Sequence, residues 1–117
     1  MLTDGTWSDD DDRKSDKRGA FQRVDSAFRN RVSADGASGF KAEPGRYHIY
    51  IAHNCTWANR TAMFRKIKKL EDVITMSISD RPKVHGWGFS NLVDVADPSP
   101  DDAFYLYQVY QVSDLRV

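Results

Sequence analysis

Cys55 is the residue best suited to do chemistry, and it is the only cysteine in 117 residues. It follows the apolar, β-prone run Tyr47-His48-Ile49-Tyr50-Ile51-Ala52 and a turn through His53-Asn54, and it precedes an amphipathic segment that opens at Thr56. A thiol at such a strand-to-helix junction lies beside the first unpaired N–H groups of the helix and the positive end of its dipole. Both favour thiolate over thiol, which makes the sulfur a nucleophile at neutral pH. Ala58 stands where a Cys-x-x-Cys dithiol would carry its resolving thiol. A mixed disulfide on Cys55 must therefore be resolved by a thiol from outside the chain. The competing role for Cys55 is that of a small buried hydrophobe, common for free cysteine; its position at a helix start argues against it.

The elements that must position this sulfur run from Arg46 to Ser79. The apolar run predicts a strand over 46–52, the segment after Cys55 a helix over 56–70, and Val73-Ile74-Thr75-Met76-Ser77-Ile78-Ser79 a second strand over 73–79. A strand–helix–strand unit nearly always takes a right-handed crossover, so the strands are expected to be parallel neighbours. Neither side of the first strand is clearly polar, which fits a sheet covered on both faces. Met63, Phe64, Ile67 and Leu70 form one apolar stripe on the helix. Arg60, Arg65, Lys66, Lys68 and Lys69 cover much of the rest, and Asn54 or Thr56 can cap its start. His48 is read as a buried, hydrogen-bonded histidine. His53 either helps hold the thiolate or is simply solvated.

The flanks are less regular. Residues 1–45 read as an N-terminal arm and 46–117 as the folded unit. Ser8 to Gly19 is charge-dense and expected to be mobile; Phe21, Val24, Phe28 and Val32 have helix-compatible spacing; Ser33 to Ser38 is a loop. Pro44-Gly45 turns the chain into the first strand. After Asp80-Arg81-Pro82, Val84 to Val95 is a loop with Gly86 and Gly88 around Trp87. Asp101 or Asp102 can cap a last helix whose apolar face holds Ala103, Leu106, Tyr107 and Tyr110, widened by Phe104.

Composition excludes several classes. The formal net charge is zero, so nothing pulls the whole protein toward nucleic acid or an anionic membrane. Bases outnumber acids between residues 19 and 70, which suits an anionic small ligand, and acids dominate after Glu71. No apolar run approaches a membrane span, the first residues do not read as a signal peptide, and one cysteine cannot form an internal disulfide. A cytoplasmic, reducing location is therefore expected, where glutathione is the abundant external thiol. No metal is expected.

Several stretches are familiar as words. Gly45-Arg46-Tyr47-His48-Ile49-Tyr50, Cys55-Thr56-Trp57-Ala58-Asn59-Arg60-Thr61 and Phe64-Arg65-Lys66-Ile67-Lys68-Lys69-Leu70-Glu71-Asp72 occur in order. They resemble the glutathionyl-hydroquinone reductases, also called Xi-class glutathione transferases. That family carries Arg-Tyr-His-Leu-Tyr, Cys-Pro-Trp-Ala-His-Arg-Thr and Arg-Lys-Leu-Lys-Gly-Leu-Glu. Gly86-Trp87-Gly88-Phe89 resembles its Gly-Trp-x-Phe. Phe21-Gln22-Arg23, Phe28-Arg29-Asn30 and Ser38-Gly39-Phe40-Lys41-Ala42-Glu43-Pro44 resemble its N-terminal extension. The similarity runs from about Asp4 to Ser113.

The resemblance implies an α/β fold, a partial thioredoxin-like domain of β-α-β plus one helix, with the family's C-terminal helical domain absent. It implies glutathione as co-substrate, a quinone-derived conjugate as partner, and homodimers for full-length members. Cys55 would be the catalytic nucleophile and would bind glutathione together with Trp87, supported by the motif residues Thr56, Trp57, Ala58 and Arg60. Thr56 and Asn59 stand where the family has proline and histidine, and Arg31 where it usually has tryptophan. The family's Val-Pro strand and Glu-Ser pair have no counterpart before Val117, so the chain reads as a fragment of a longer enzyme. The alternative expectation is an inactive fragment that at most binds glutathione or a partner.

Overall fold

The computed structural model describes residues 2–3, 5–9, 14–15, 17–22, 25–26, 28–99 and 103–113. Two short antiparallel pairs come first: β1 (Leu2–Thr3) with β2 (Thr6–Trp7), and β3 (Lys14–Ser15) with β4 (Phe21–Gln22). Part of the stretch expected to be mobile is therefore paired. The helix predicted around Phe21 to Val32 is not formed among the described residues; Phe21 and Gln22 are extended instead. A helix of that length is marginal without a buried stripe, and Phe21, Phe28 and Val32 are all exposed. Arg23 and Val24 lie outside the described residues.

The centre is β5 (Tyr47–Ile51), α1 (Thr56–Ile67) and β6 (Ile74–Ile78). β5 and β6 pair in parallel, Tyr47 opposite Ile74 and Ile51 opposite Ile78. The register puts His48 and Tyr50 beside Thr75 and Ser77 on one face, and Ile49 and Ile51 beside Met76 and Ile78 on the other. The first face is also packed: the Tyr50 ring meets Phe89 edge-on at 5.9 Å. This is an α/β fold, the partial thioredoxin-like unit expected.

α1 differs from expectation at its end and on its face. It stops at Ile67, not Leu70, because the chain closes in a Schellman turn. The Leu70 N–H donates to the Arg65 carbonyl at 3.0 Å and the Lys69 N–H to the Lys66 carbonyl at 3.0 Å, with Lys69 at φ 53°. Arg65 then ties the helix to the second strand, donating through Nε to the Ile74 carbonyl at 2.6 Å and through its guanidinium to the Glu71 carbonyl at 2.9 Å. The half-buried side of α1 is Ala58, Ala62 and Arg65. The stripe of Met63, Phe64 and Ile67 points away and remains 58%, 55% and 67% exposed. Ala58 and Ala62 let the helix approach β5, and Arg65 shares that side by bonding to the carbonyls of Ile74 and Glu71.

Beyond β6, the expected loop and helix contain a further pairing, β7 (Gly88–Phe89) with β8 (Phe104–Tyr105), antiparallel. α2 (Leu106–Ser113) starts only after it. Phe104 and Tyr105 are thus strand residues, held by a partner far away in sequence. Asp101 and Asp102, the expected caps, lie outside the described residues, as do Asp114 to Val117. The core is here: Phe89, Leu92, Ala103 and Tyr105 are buried together with Ile51 and Ala52. Burying each large side chain contributes about 1.5–3 kcal/mol over exposure. Gly88 permits a further antiparallel bridge to Arg81 on its other side, since a Cβ there would lie 2.9 Å from the Arg81 Cβ and 3.2 Å from the Pro82 carbonyl oxygen. No helix among the described residues is long and apolar enough to cross a membrane.

Candidate active site

Cys55 ends a tight turn. Its N–H donates to the Ala52 carbonyl at 2.9 Å, and its carbonyl accepts the Asn59 N–H at 3.0 Å. The residue is extended, at φ −98° and ψ 108°, and is itself the N-cap of α1. Neither Asn54 nor Thr56 is the N-cap, and the Cys55 side chain makes no capping hydrogen bond. A sulfur therefore holds the position where an oxygen side chain would normally accept a first-turn N–H. Asn59 instead donates through Nδ2 to the His53 carbonyl at 2.6 Å, fixing the turn from the other side. The His53 side chain lies in this exposed turn.

The half-buried Cys55 faces a cavity of about 290 Å³. Trp57, Ala58 and Thr61 of α1 line it, as do Tyr50, Ile51 and Ala52 at the end of β5. Trp87 comes from the loop after β6, Phe89 from β7, and Leu106 and Tyr110 from α2. Of the residues singled out in the sequence, Cys55, Trp57, Ala58 and Trp87 meet at this cavity. Thr56 and Arg60 do not line it; both are exposed, and the Arg60 guanidinium lies over the Trp57 ring, 5.2 Å from its centroid. Trp87 is half-buried, with the Lys83 ammonium 4.6 Å from its ring centroid. Its carbonyl accepts the Leu106 N–H at 3.0 Å, joining two walls of the cavity directly.

Tyr50, Phe89, Leu106 and Tyr110 were not identified as site residues from sequence. Phe89 was within a recognised word, and Leu106 and Tyr110 shared an expected apolar face, but only their pairing in space puts them near the sulfur. The Tyr50 hydroxyl donates to Asp94 Oδ2 at 2.5 Å. Burial pushes this hydroxyl above the ordinary tyrosine range, and the bond to Asp94 pushes it further the same way. Tyr50 is therefore a neutral wall at physiological pH, its proton committed to Asp94. His48 is hydrogen-bonded as expected, Nδ1 to Thr75 Oγ1 at 2.6 Å and Nε2 to Ser77 Oγ at 2.9 Å. Hydroxyls can serve either tautomer. Burial lowers its pKa from the usual value, with a smaller push the same way from Arg65 and an opposing one from Asp94. Among the described residues no group of three His, Cys, Asp or Glu could hold a metal ion.

Known proteins resemble the chain that carries this arrangement. The chain is 38% identical over 115 residues to the glutathionyl-hydroquinone reductase PcpF of Sphingobium chlorophenolicum. It is 40% identical over 125 residues to the glutathionyl-hydroquinone reductase YqjG of Escherichia coli. Among solved structures, the crystal structure of glutathione S-transferase Xi from Phanerochaete chrysosporium matches with a TM-score of 0.64 at 36% identity, covering 83% of this chain and 32% of that one. The chain is thus similar to one part of the glutathionyl-hydroquinone reductases and of a Xi-class glutathione transferase. No protein-family profile matches it. Each of the two curated alignments takes in 97% of this chain but only 36% and 37% of the relative, so the chain spans little more than a third of these reductases' length.

Proposed function

We infer that this chain carries the nucleophilic half of a glutathione-dependent reductase acting on glutathionyl-hydroquinones. The observation that supports this is the convergence of Cys55 and Trp87, thirty-odd residues apart, on one aromatic-walled cavity. The Cys55 thiolate attacks the sulfur of the conjugate. The carbon–sulfur bond breaks, its electron pair leaves with the hydroquinone carbon, and that carbon takes a proton from solvent. Cys55 is left in a mixed disulfide with glutathione. A second glutathione thiolate attacks the glutathione sulfur of that disulfide, releasing oxidised glutathione and restoring the Cys55 thiolate. Ala58 in place of a resolving thiol makes the external glutathione necessary. Trp87 contacts the bound peptide, and Trp57 and Tyr110 flank the aromatic ring. Activity belongs to a longer enzyme, of which these residues supply the thiol side.

The test is mass spectrometry of the chain after exposure to a glutathionyl-hydroquinone without free glutathione. One glutathione should be added at Cys55, with one equivalent of hydroquinone released, and neither should occur in Cys55→Ser. Hydroquinone release that survives Cys55→Ser would remove Cys55 from the reaction. A second reading, a binding module without turnover, is favoured by the outward stripe Met63, Phe64 and Ile67, which lies bare on α1. It predicts reversible glutathione binding with no adduct on Cys55.

A further inference from the structure

Five residues near the N-terminus, Gly5 to Asp9, lie against the loop that carries Trp87. Trp7 stacks on Tyr107 of α2, with centroids 4.8 Å apart and planes 13° from parallel. Tyr107 stacks in turn on Tyr105, at 5.8 Å and 9°, and His85 meets the Tyr105 ring edge-on at 5.7 Å. Asp9 closes the ring of contacts: Oδ1 accepts the Trp7 indole N–H at 2.9 Å, and Oδ2 is 2.7 Å from His85 Nδ1. Gln111 of α2 donates through Nε2 to the Gly5 carbonyl at 2.6 Å. Gly86 lies flat under the indole: at φ 105°, a Cβ there would come within 3.2 Å of Trp7 Cη2. The indole thus rests on the residue immediately before Trp87, and on the helix that carries Leu106 and Tyr110 into the cavity.

The geometry points to Trp7 as a positioning residue for the Cys55 cavity: Gly5–Asp9 is a strap that holds the Trp87 loop and α2 together as its outer wall. This rests on the cavity being the glutathione site. None of the strap residues lines the cavity, so the effect is indirect. The Leu106 N–H to Trp87 carbonyl bond continues the β7–β8 pairing that joins the two walls. With the indole gone, that short ladder loses the side chain packed against both walls, and Trp87 shifts from its place in the cavity wall. A ring at position 7 is what matters, since stacking survives in phenylalanine whereas the bond to Asp9 does not.

Trp7→Ala and Trp7→Phe in the full chain test this with two readouts. The first is the glutathione concentration that half-protects Cys55 from iodoacetamide. It should rise about three- to tenfold in Trp7→Ala, the range set by one lost aromatic stack, and stay within about twofold of the unsubstituted chain in Trp7→Phe. The second is amide hydrogen exchange, in which Leu106 should lose protection in Trp7→Ala while the β5–β6 ladder amides keep theirs, showing that the fold persists. Protection of Cys55 that is insensitive to Trp7→Ala would overturn the strap, with or without a change at Leu106. Equal losses in Trp7→Ala and Trp7→Phe would overturn the stacking account. No protection by glutathione in the unsubstituted chain, by contrast, would overturn the assignment of the cavity itself.

Discussion

His48 and Tyr50 show how single side chains settle one face of β5, and Tyr50 of the two reaches the cavity. Both leave β5 on the same side, with ring centroids 4.5 Å apart, and each is fully engaged by hydroxyl or carboxylate partners. His48 has its pKa lowered from 6.5 by burial first, while Arg65 adds to the effect and Asp94 opposes it. In the unfolded chain the imidazole takes up a proton near 6.5; in the folded chain it does so only at lower pH. The unfolded state binds more protons in that window, so stability is fully present above pH 6.5 and is lost as pH falls toward the folded value. Thermal melts across this range should show that decline, and His48→Gln, which cannot titrate, should flatten it. An unchanged slope in the variant would assign the decline to other groups. Asp80 titrates in a separate, more acid window, held below the ordinary carboxylate value chiefly by its hydrogen bond to Ser90. Tyr50→Phe removes the bond to the exposed Asp94 and should cost about 1 kcal/mol in a urea melt, leaving the rate of Cys55 alkylation unchanged. A large change in that rate would make the Tyr50 hydroxyl part of the chemistry rather than of the wall.

α1 carries the Cys55 sulfur at one end and a strained residue at the other. Lys69 adopts φ 53°, the left-handed region where a side chain is penalised and glycine is not. Because the Schellman bonds at Leu70 and Lys69 hold it there, Lys69→Gly should stabilise the chain by about 0.5–1 kcal/mol, offset in part by the greater freedom of glycine in the unfolded state. The expected signature is a higher urea midpoint with the same m-value; a lower midpoint would mean that the lysine side chain contributes more than its backbone costs. The strands and helix of this unit were legible in the sequence because alternation and the strand–helix–strand order are local signals. The cap and the buried side were not. Met63, Phe64 and Ile67 have a core-like spacing, yet Ala58, Ala62 and Arg65 face inward, because a periodic stripe marks an apolar side without naming what covers it. β8 was misread as helix for a different reason. Phe104 and Tyr105 have no alternating neighbours of their own and become strand only through Gly88 and Phe89. The position of Cys55 at the start of α1 was legible, whereas the cavity around it depends on those non-local pairings and was not.

As a whole molecule, the chain has one long parallel strand pair, a buried cluster around Phe89 and Tyr105, and an apolar helix side left bare. It spans 36% of the reductase PcpF, so the remaining length of such relatives is available to cover that side and to complete the substrate pocket. This leads to an expectation about rate. Reaction at Cys55 needs the conjugate's sulfur held in line with the thiolate, and loose positioning costs orders of magnitude even when the nucleophile is intact. The 117 residues alone should therefore take a glutathione from a glutathionyl-hydroquinone slowly, in proportion to substrate concentration and without saturation. Cycling with glutathione should be correspondingly weak, and Cys55→Ser should abolish both. The measurement is the initial rate of hydroquinone release against conjugate concentration, with free glutathione present. A linear dependence identifies an activated thiol whose pocket is incomplete. A saturable rate, removed by Cys55→Ser, would show that the cavity lined by Trp57, Trp87 and Tyr110 orients the substrate by itself. In that case the bare stripe of Met63, Phe64 and Ile67 would serve some purpose other than catalysis.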